Sequence, residues 1–371
     1  MSMKETARAA LLRFDPALNR LDDEGKELRD GLSAAVLVGD TLWLACDETT
    51  RLERLTRAGG DTYQGHEQFP LARFLDLHAK EKEEADVEGL DISDGYLWLV
   101  GSHSLKRTKP KAGKTPDKNR ERLAAVTADG NRFLLARIPL VADGGTHRLE
   151  KEASTGDQRR VAAQLHGDEL GSDLTAALEK DEHLGAFFGI PGKDNGFDIE
   201  GLAVSGGRVL IGLRGPVLRG WAMVLEVELG GDDDDTSVLR LKGIGPGGRP
   251  YRKHFLELGG LGVRDLCADG ADLLILAGPT MDLDGPVALF RWENGARPEE
   301  QSVVFAGDKL TRVLDIPFGA GSDHAEGITL LPAEGGARRE LLVLYDAPSA
   351  ARKRGREGEA VLRADIFTMP E

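Results

Sequence analysis

Carboxylate side chains recur at one place in a series of similar segments. The segments span residues 31–47, 86–101, 197–212, 263–278 and 324–346, and each has an acidic residue or a serine near its start. The aligned residues are Ser33, Glu88, Glu200, Asp265 and Glu326. Carboxylate oxygens suit Ca²⁺ or Mg²⁺ better than zinc. If the fold brings these residues together, they form a candidate site for a divalent cation.

Each segment is predicted to be a β-hairpin. Its two short apolar runs are joined by glycine-containing pairs, such as Asp94-Gly95 in the second segment and Gly206-Gly207 in the third. Tight two-residue turns need a positive φ, which glycine adopts at low steric cost. Hairpins of one design indicate a structural repeat. Third strands are expected near Leu52, Leu123, Val224, Ala288 and Leu362.

The repeat predicts an all-β fold, a β-propeller of five four-stranded blades in a single domain over residues 1–371. A ring of blades leaves few sheet edges exposed. The last repeat has only three strands, so residues 10–14 are expected to add the fourth and to close the ring. The 112 residues between Glu88 and Glu200 are explained by an insertion at 143–186 in blade two, with a helix at about 168–184. A sixth blade, or two stacked β-sandwich domains, are the alternatives.

In a propeller the starts of the first strands and the ends of the second strands meet at one mouth of the central channel. The second strands end at Asp47, His103, Arg214, Thr280 and Asp346. The sequence therefore predicts an acidic ring with one arginine and one histidine. Neighbouring carboxylates raise one another's pKa, so such a ring calls for a cation, a basic partner or protons. Alternatively, each carboxylate is structural and accepts backbone amide hydrogen bonds from the next blade.

Basic side chains are concentrated in loops that should lie on the same face. They follow the second strands of three repeats: Lys106, Arg107, Lys109, Lys111, Lys114, Lys118, Arg120 and Arg122; Arg214 and Arg219; Arg352, Lys353, Arg354 and Arg356. Basic loops on a protein of net charge -15 would attract an anion to this face. The predicted ligand is a phosphorylated small molecule. Alternatively, these loops are solvated and bind nothing.

Composition excludes several other classes. The chain has 371 residues, 40% of them hydrophobic, and no apolar run long enough to span a membrane. Its first residues lack the apolar stretch of a secretory signal, so a cytoplasmic location is expected. Cys46 and Cys267 are too few for a disulfide framework. The negative net charge argues against general nucleic-acid binding. The oligomeric state is not indicated.

Several motifs together resemble a known bacterial family. They are KDNGFDIEGL at 193–202, GLRGP at 212–216, VRDL at 263–266 and LVGSHS at 99–104. This set is similar to the bacterial domain of unknown function 3616, over about residues 31–348, and the resemblance implies no particular activity. The Glu-Gly strand starts also resemble phytase-like esterase propellers, which implies calcium-assisted hydrolysis of a phosphoester. Ser33 and Asp265 depart from that pattern.

These observations predict a Ca²⁺- or Mg²⁺-dependent hydrolase of a phosphorylated small molecule. The expected metal ligands are Glu88, Glu200, Asp265 and Glu326. Arg214 would hold the phosphate and His103 or a carboxylate such as Glu200 would activate water. Ligand binding is expected at Lys106, Arg107, Lys193, Arg214, Thr280 and Asp346. The alternative is a non-enzymatic propeller that binds an anionic ligand or a protein partner at this face.

Overall fold

The computed structural model describes residues 8–23, 25–79, 84–156, 158–332 and 339–370. Strands dominate this part of the chain, and its two α-helices are short, which confirms the predicted all-β class. No helix within these ranges is long and apolar enough to cross a membrane.

The first half of the chain contains 16 strands and one α-helix. They are β1 (Arg8–Phe14), β2 (Leu32–Val38), β3 (Thr41–Cys46), β4 (Arg51–Gly59), β5 (Thr62–Pro70), β6 (Val87–Ser93), β7 (Tyr96–Gly101) and β8 (Lys106–Arg107), then helix α1 (Pro116–Ala124), β9 (Val126–Thr127), β10 (Leu135–Asp143), β11 (Thr146–Leu149), β12 (Glu152–Thr155), β13 (Gln158–Val161), β14 (Ala163–Leu165), β15 (Gly167–Asp168) and β16 (Gly171–Ser172).

The second half begins with the other helix. Its elements are α2 (Asp173–Leu178), β17 (Asp198–Ser205), β18 (Arg208–Leu218), β19 (Trp221–Gly231), β20 (Val238–Leu241), β21 (Arg252–Leu256), β22 (Gly262–Asp269), β23 (Asp272–Gly278), β24 (Val287–Trp292), β25 (Ser302–Val304), β26 (Leu310–Ile316), β27 (His324–Leu331), β28 (Glu340–Asp346) and β29 (Ala360–Thr368).

The predicted hairpins are present as antiparallel pairs, and their first strands form a circle. The pairs are β2–β3, β6–β7, β17–β18, β22–β23 and β27–β28. Strand β2 contacts β6, β6 contacts β17, β17 contacts β22, β22 contacts β27, and β27 contacts β2 again. A circle of first strands around one axis gives a β-propeller-like fold.

Outer strands join neighbouring hairpins into larger sheets. Strand β1 pairs antiparallel with β29 along its whole length, as expected for the N-terminal strand, and it also pairs parallel with β5. Strand β14 pairs parallel with β20 in the same way. Among the described residues, two sheets therefore contain 8 and 11 strands, whereas β22, β23, β24 and β26 form a separate four-stranded sheet. The number of blades stays a prediction.

Glycine lets the first strands approach one another closely. A Cβ atom at Gly89 would lie 2.7 Å from the Cβ of Leu202 on the next first strand. Gly201 has a φ of +99°, and a Cβ there would lie 2.8 Å from the Cα of Asp265. The glycine that follows the repeated glutamate is thus explained by backbone packing around the axis.

One expected strand was wrong, and one expected helix is present but shorter than predicted. Leu123, placed in a third strand, lies in α1, where Thr115 caps the first turn through the N–H of Lys118 and proline occupies the first position. The third strand of the second hairpin is β10 instead, which pairs with β7. Helix α2 is also shorter than expected, because the residues before it form β15 and β16. The other predicted third strands are present as β4, β19, β24 and β29.

Candidate functional site

Each hairpin of the circle has a β-bulge at its start. The bulges leave Ser33, Glu88, Arg264 and Glu326 unpaired in the strand register, and the bulge of the third hairpin includes Glu200. A bulge re-aims its side chain out of the regular alternation of the strand. The aligned position in the fourth hairpin is therefore Arg264, and the predicted alignment on Asp265 was wrong by one residue.

Asp265 ties two first strands together. Its Oδ1 atom accepts a hydrogen bond from the N–H of Leu266 at 2.8 Å, and its Oδ2 accepts from the N–H of Ile328 at 2.7 Å. Only 2% of the residue is exposed. This is the structural role considered as the alternative for every repeated carboxylate. The metal-binding role of Asp265 stays a prediction, and both oxygen atoms already accept hydrogen bonds.

Glu200 is the centre of a buried network of ion pairs. Its Oε1 accepts from Nη1 of Arg214 at 2.7 Å, and its Oε2 lies 3.0 Å from Nε of Arg264. Arg264 also pairs with Glu326 through Nη2. The Nε of Arg214 donates to the carbonyl oxygen of Thr280 at 2.9 Å. We call Glu200, Glu326, Arg214 and Arg264 the paired sector.

A second arginine-carboxylate contact lies at the start of the second hairpin. Nη1 of Arg132 is 2.8 Å from Oδ2 of Asp86 and donates to Oγ of Ser104 at 3.1 Å. Arg132 belongs to the 3-10 turn Gly130–Phe133, and the residue is 7% exposed. It fixes Asp86, which precedes the bulge at Glu88.

Asp47 and Glu88 are carboxylates of the mouth that lie beside each other without an ion pair to the described residues. Neither Asp47 nor Glu88 forms an ion pair with any basic side chain of the described residues. Burial, and then the charge of Asp86, raise the pKa of both carboxyl groups well above the ordinary range. We call Asp47 and Glu88 the unpaired sector.

The pKa is also raised at three other carboxyl groups of the mouth. Burial raises the pKa of Asp198 to about 7 although Arg214 acts in the opposite direction. Burial likewise raises the pKa of Glu326 to about 8 against the effect of Arg264. The pKa of Asp346 is also raised, chiefly by burial. Part of this ring is therefore protonated near neutral pH unless a cation is present.

A cavity of about 680 Å³ lies over the unpaired sector. Its acidic floor is formed by Asp47, Glu48, Glu84, Asp86, Glu88 and Asp198. Its basic wall is formed by Lys106, Arg107, Lys109, Lys111 and Arg122, and Lys193 and Arg214 also line it. The predicted acidic mouth and one of the predicted basic loops thus line a single space.

Residues 106–127, which we call the basic loop, are held over this cavity by ion pairs. Nε of Arg107 lies 2.6 Å from Oδ2 of Asp194, and Nζ of Lys109 lies 2.7 Å from Oδ2 of Asp282. Asp282 belongs to the connection between β23 and β24, so the loop reaches across the mouth. The Nζ atoms of Lys111 and Lys193 have no bond to the described residues, and both are available to a ligand.

Lys193 retains its positive charge in this setting. Partial desolvation by the surrounding mouth residues and the charge of Arg214 act to lower the pKa of Lys193, but Glu326, Asp47 and Glu88 outweigh them and raise it above its ordinary value. The residue lies in the 3-10 turn Gly192–Asp194, and it is exposed at the mouth. Lys193 and Asp346 both line cavities at the mouth, and their role in ligand binding stays a prediction.

Other predicted residues lie away from the cavity or are already engaged. His103 is 3% exposed and does not line the cavity; its Nδ1 bonds to the carbonyl oxygen of Gly101, and burial lowers its pKa to about 4. Thr280 supplies a carbonyl oxygen to Arg214. In the last basic loop, Arg352 pairs with Asp365 at 2.8 Å. The catalytic role of His103 stays a prediction.

Sequence reasoning missed Arg132 and Arg264. Arg264 had a signal in the sequence, because Leu266 two residues later matches the leucine that follows Glu88-Gly89 and Glu200-Gly201. Aligning that leucine instead of the acid gives the observed register. Arg132 had no comparable signal, since it lies far along the chain from the repeated motif. Among the described residues, no group of three or more His, Cys, Asp or Glu side chains is arranged to hold a metal ion.

The fold and the mouth define an all-β, propeller-like protein with a charged cavity at the end of its central axis. The chain belongs to the family described as "Protein of unknown function (DUF3616)", whose model matches residues 31–365. This confirms the resemblance drawn from the motifs. No finding supports the second resemblance, to phytase-like esterases. A search of curated proteins finds no match.

Solved structures of several kinds are distantly similar to the chain. Glutaminyl cyclase of Myxococcus xanthus shares 10% identity at a TM-score of 0.40, with 99% of this chain and 98% of that chain covered. A streptogramin B lyase shares 8% at a TM-score of 0.36, covering 99% and 100%. The GH43 protein BlXynB of Bacillus licheniformis shares 9% at 0.38, covering 92% and 53%. Likeness at this level says nothing about the ligand of this chain.

Proposed function

We propose that the protein binds a phosphorylated small molecule in the cavity at the mouth of the central axis. One observation carries the proposal: cations and carboxylates that have no partner among the described residues line the same space of about 680 Å³. The volume is within the range of small-molecule sites. The cations are concentrated there although the chain carries a net charge of -15.

The phosphate is expected at the basic wall. Lys111 and Lys193 are free to bind it, and Arg214 is fixed by Glu200 and Thr280 with its Nη2 atom unbonded to the described residues. A guanidinium held in place loses little conformational freedom when it binds an oxyanion. An anion is therefore favoured on this wall and disfavoured over most of the remaining, acidic surface.

The acidic floor favours a ligand that arrives with a cation. Asp47 and Glu88 repel each other and the phosphate unless they are protonated or bound to a positive charge. A Ca²⁺ or Mg²⁺ ion between floor and phosphate would satisfy both, since both ions prefer oxygen ligands. The phosphate would have to supply part of the ligand set, because no group of three or more His, Cys, Asp or Glu side chains among the described residues is arranged to hold a metal. Of the four predicted metal ligands, Glu88 is the one without an ion pair or hydrogen bond to the described residues.

Hydrolysis of the phosphoester is the second candidate function, and the unpaired sector favours it. A metal ion bound there would lower the pKa of a coordinated water, and a free carboxylate would accept its proton. Glu88 is better placed than the buried His103 for this task, because it lines the cavity. A protein that only binds the phosphate uses the same wall without this step.

Binding is tested by titrating glycerol phosphate into the protein by calorimetry, with magnesium present. Lys111→Ala and Lys193→Ala should each weaken binding about tenfold, a typical loss for one charge-assisted contact. Lys118→Ala is the matched control, because Lys118 belongs to the same basic loop but does not line the cavity. Equal affinities for all four proteins, or no binding to the parent, would overturn the proposal.

Hydrolysis is tested by phosphate release from glycerol phosphate with Mg²⁺, Ca²⁺ or a chelator. The enzymatic candidate predicts turnover that the chelator abolishes and that Glu88→Gln removes while binding is retained. Binding without turnover under all three conditions would exclude hydrolysis of this probe and leave the binding function.

We further propose that the hairpins form five four-stranded blades of one domain spanning residues 1–371. The circle of first strands supports this number, and the pairing of β1 with β29 supports closure by the N-terminal strand. The insertion at 143–186 in blade two would then include β12, β13 and α2. A crystal structure with six first strands around the axis would instead support the six-bladed alternative.

A further inference from the structure

An apolar patch borders the mouth in the loops after β23 and before β27, next to Asp282, which Lys109 of the basic loop contacts. Met281, Leu283 and Phe318 are large hydrophobic residues that are 42%, 59% and 47% exposed. They line one small cavity together with Lys193 and Arg214. The same two cations line the large cavity, so the patch continues directly from the proposed phosphate site.

The loops that carry the patch are tied to each other. Met281 and Leu283 follow β23, and Phe318 precedes β27. Oδ1 of Asp284 accepts a hydrogen bond from the N–H of Gly321 at 2.9 Å and lies 3.0 Å from Nε2 of His324. The three apolar side chains therefore lie on connected loops, as a surface that is formed before a ligand arrives.

Inorganic phosphate or a sugar phosphate would not use this surface. Isolated exposed hydrophobic residues are common, but adjoining ones beside a charged pocket indicate an interaction site. Covering them removes apolar area from water, at about 25 cal/mol per Å². An anion that also carries an apolar group would gain this energy in addition to its contacts with Lys193.

We infer that the ligand is an amphipathic anion. Its phosphate lies at Lys193 and the basic wall, and its aromatic or aliphatic group lies on Met281, Leu283 and Phe318. This inference rests on the proposed function and specifies its ligand class. Lys193 and Arg214 line both the charged cavity and the apolar patch. The apolar group of the ligand is therefore expected to be attached close to its phosphate.

The test compares phenyl phosphate with glycerol phosphate by calorimetry under identical conditions, with magnesium. Each probe is a phosphate monoester of a single small hydroxyl compound, phenol in one case and glycerol in the other. The two probes differ mainly in the polarity of the group that is attached to the phosphate. Phenyl phosphate should bind about tenfold more tightly, the gain expected from covering roughly 50 Å² of apolar surface. Phe318→Ser and Leu283→Ser should each reduce that advantage and leave the affinity for glycerol phosphate unchanged.

Leu170→Ser is the matched control, because Leu170 is 83% exposed and does not line either cavity. It should change neither affinity. Equal affinities for the two probes, or an equal loss for both in Phe318→Ser, would overturn the inference while the proposed binding function stands. If neither probe binds, the proposed function fails and this inference with it.

Discussion

The paired and unpaired sectors use the same strand position for different purposes. Glu88 and Glu200 both belong to bulges at the starts of first strands, yet Glu200 contacts two arginines and Glu88 contacts none among the described residues. The difference comes from two arginines: Arg264 occupies the equivalent bulge of the next hairpin, and Arg214 lies on β18, the partner strand of Glu200. These two arginines separate a sector that holds the ring together from a sector that is free to bind.

The largest effect is expected from breaking the paired sector. Glu200→Gln removes the negative charge between two buried guanidinium groups, so the free energy of unfolding should fall by about 3–5 kcal/mol, as for other broken buried ion pairs. Urea unfolding measures this loss. An unchanged midpoint would show that the pairing of Glu200 does not stabilise the fold. A loss of activity in this variant would not separate catalysis from folding.

The same substitution in the unpaired sector should change the free energy of unfolding in the opposite direction. Glu88→Gln removes a carboxylate that is repelled by its neighbours, so at pH 8 the free energy of unfolding should rise by about 0.5–2 kcal/mol. Magnesium should stabilise the parent protein at this pH by binding the folded form, and it should stabilise Glu88→Gln much less. Thermal unfolding with and without magnesium measures both. A destabilised Glu88→Gln would contradict the division into two sectors.

A pH dependence follows from the raised pKa values of the ring. Because burial raises the pKa of Asp198 to about 7 and that of Glu326 to about 8, the folded protein binds more protons than the unfolded chain above the ordinary carboxyl pKa of about 4. The stability contributed by these groups is complete below that value and is lost as pH rises towards 8. The unfolding temperature without metal should therefore fall between pH 6 and 9, and Glu88→Gln should flatten the profile. A profile that rises over this range would contradict the assignment.

The smallest effect on stability is expected from the basic loop. Lys109→Ala breaks an exposed ion pair with Asp282, so the free energy of unfolding should change by less than about 1 kcal/mol. Binding of glycerol phosphate should become weaker and less dependent on salt, because one cation of the wall is lost. Calorimetry at two ionic strengths measures this. An unaltered salt dependence would remove Lys109 from the site.

The hairpins were predictable because glycine pairs at tight turns and short apolar runs are local signals. The pairing of β1 with β29 was predictable as well, since the last repeat lacked a strand. Helix α1 was not, because Leu123 lies in a short segment that is fixed by the cap at Thr115 and not by apolar periodicity.

The site was predictable in outline and not in its pairing. The acidic ring and the basic loop were expected on one face, and both line the cavity. A β-bulge shifts the strand register by one residue, so the sequence alignment placed Asp265 at the position that Arg264 occupies in the structure. Arg132 reaches the mouth through tertiary packing that no spacing in the chain indicates.

The central claim is that the free carboxylates and the free cations of the mouth serve one ligand. A high-resolution crystal structure of the protein grown with calcium and phosphate tests it most directly. The account predicts phosphate within hydrogen-bond distance of Lys193 or Lys111 and a calcium ion bound to Glu88. An empty cavity at saturating concentrations, or phosphate bound only elsewhere on the surface, would contradict it.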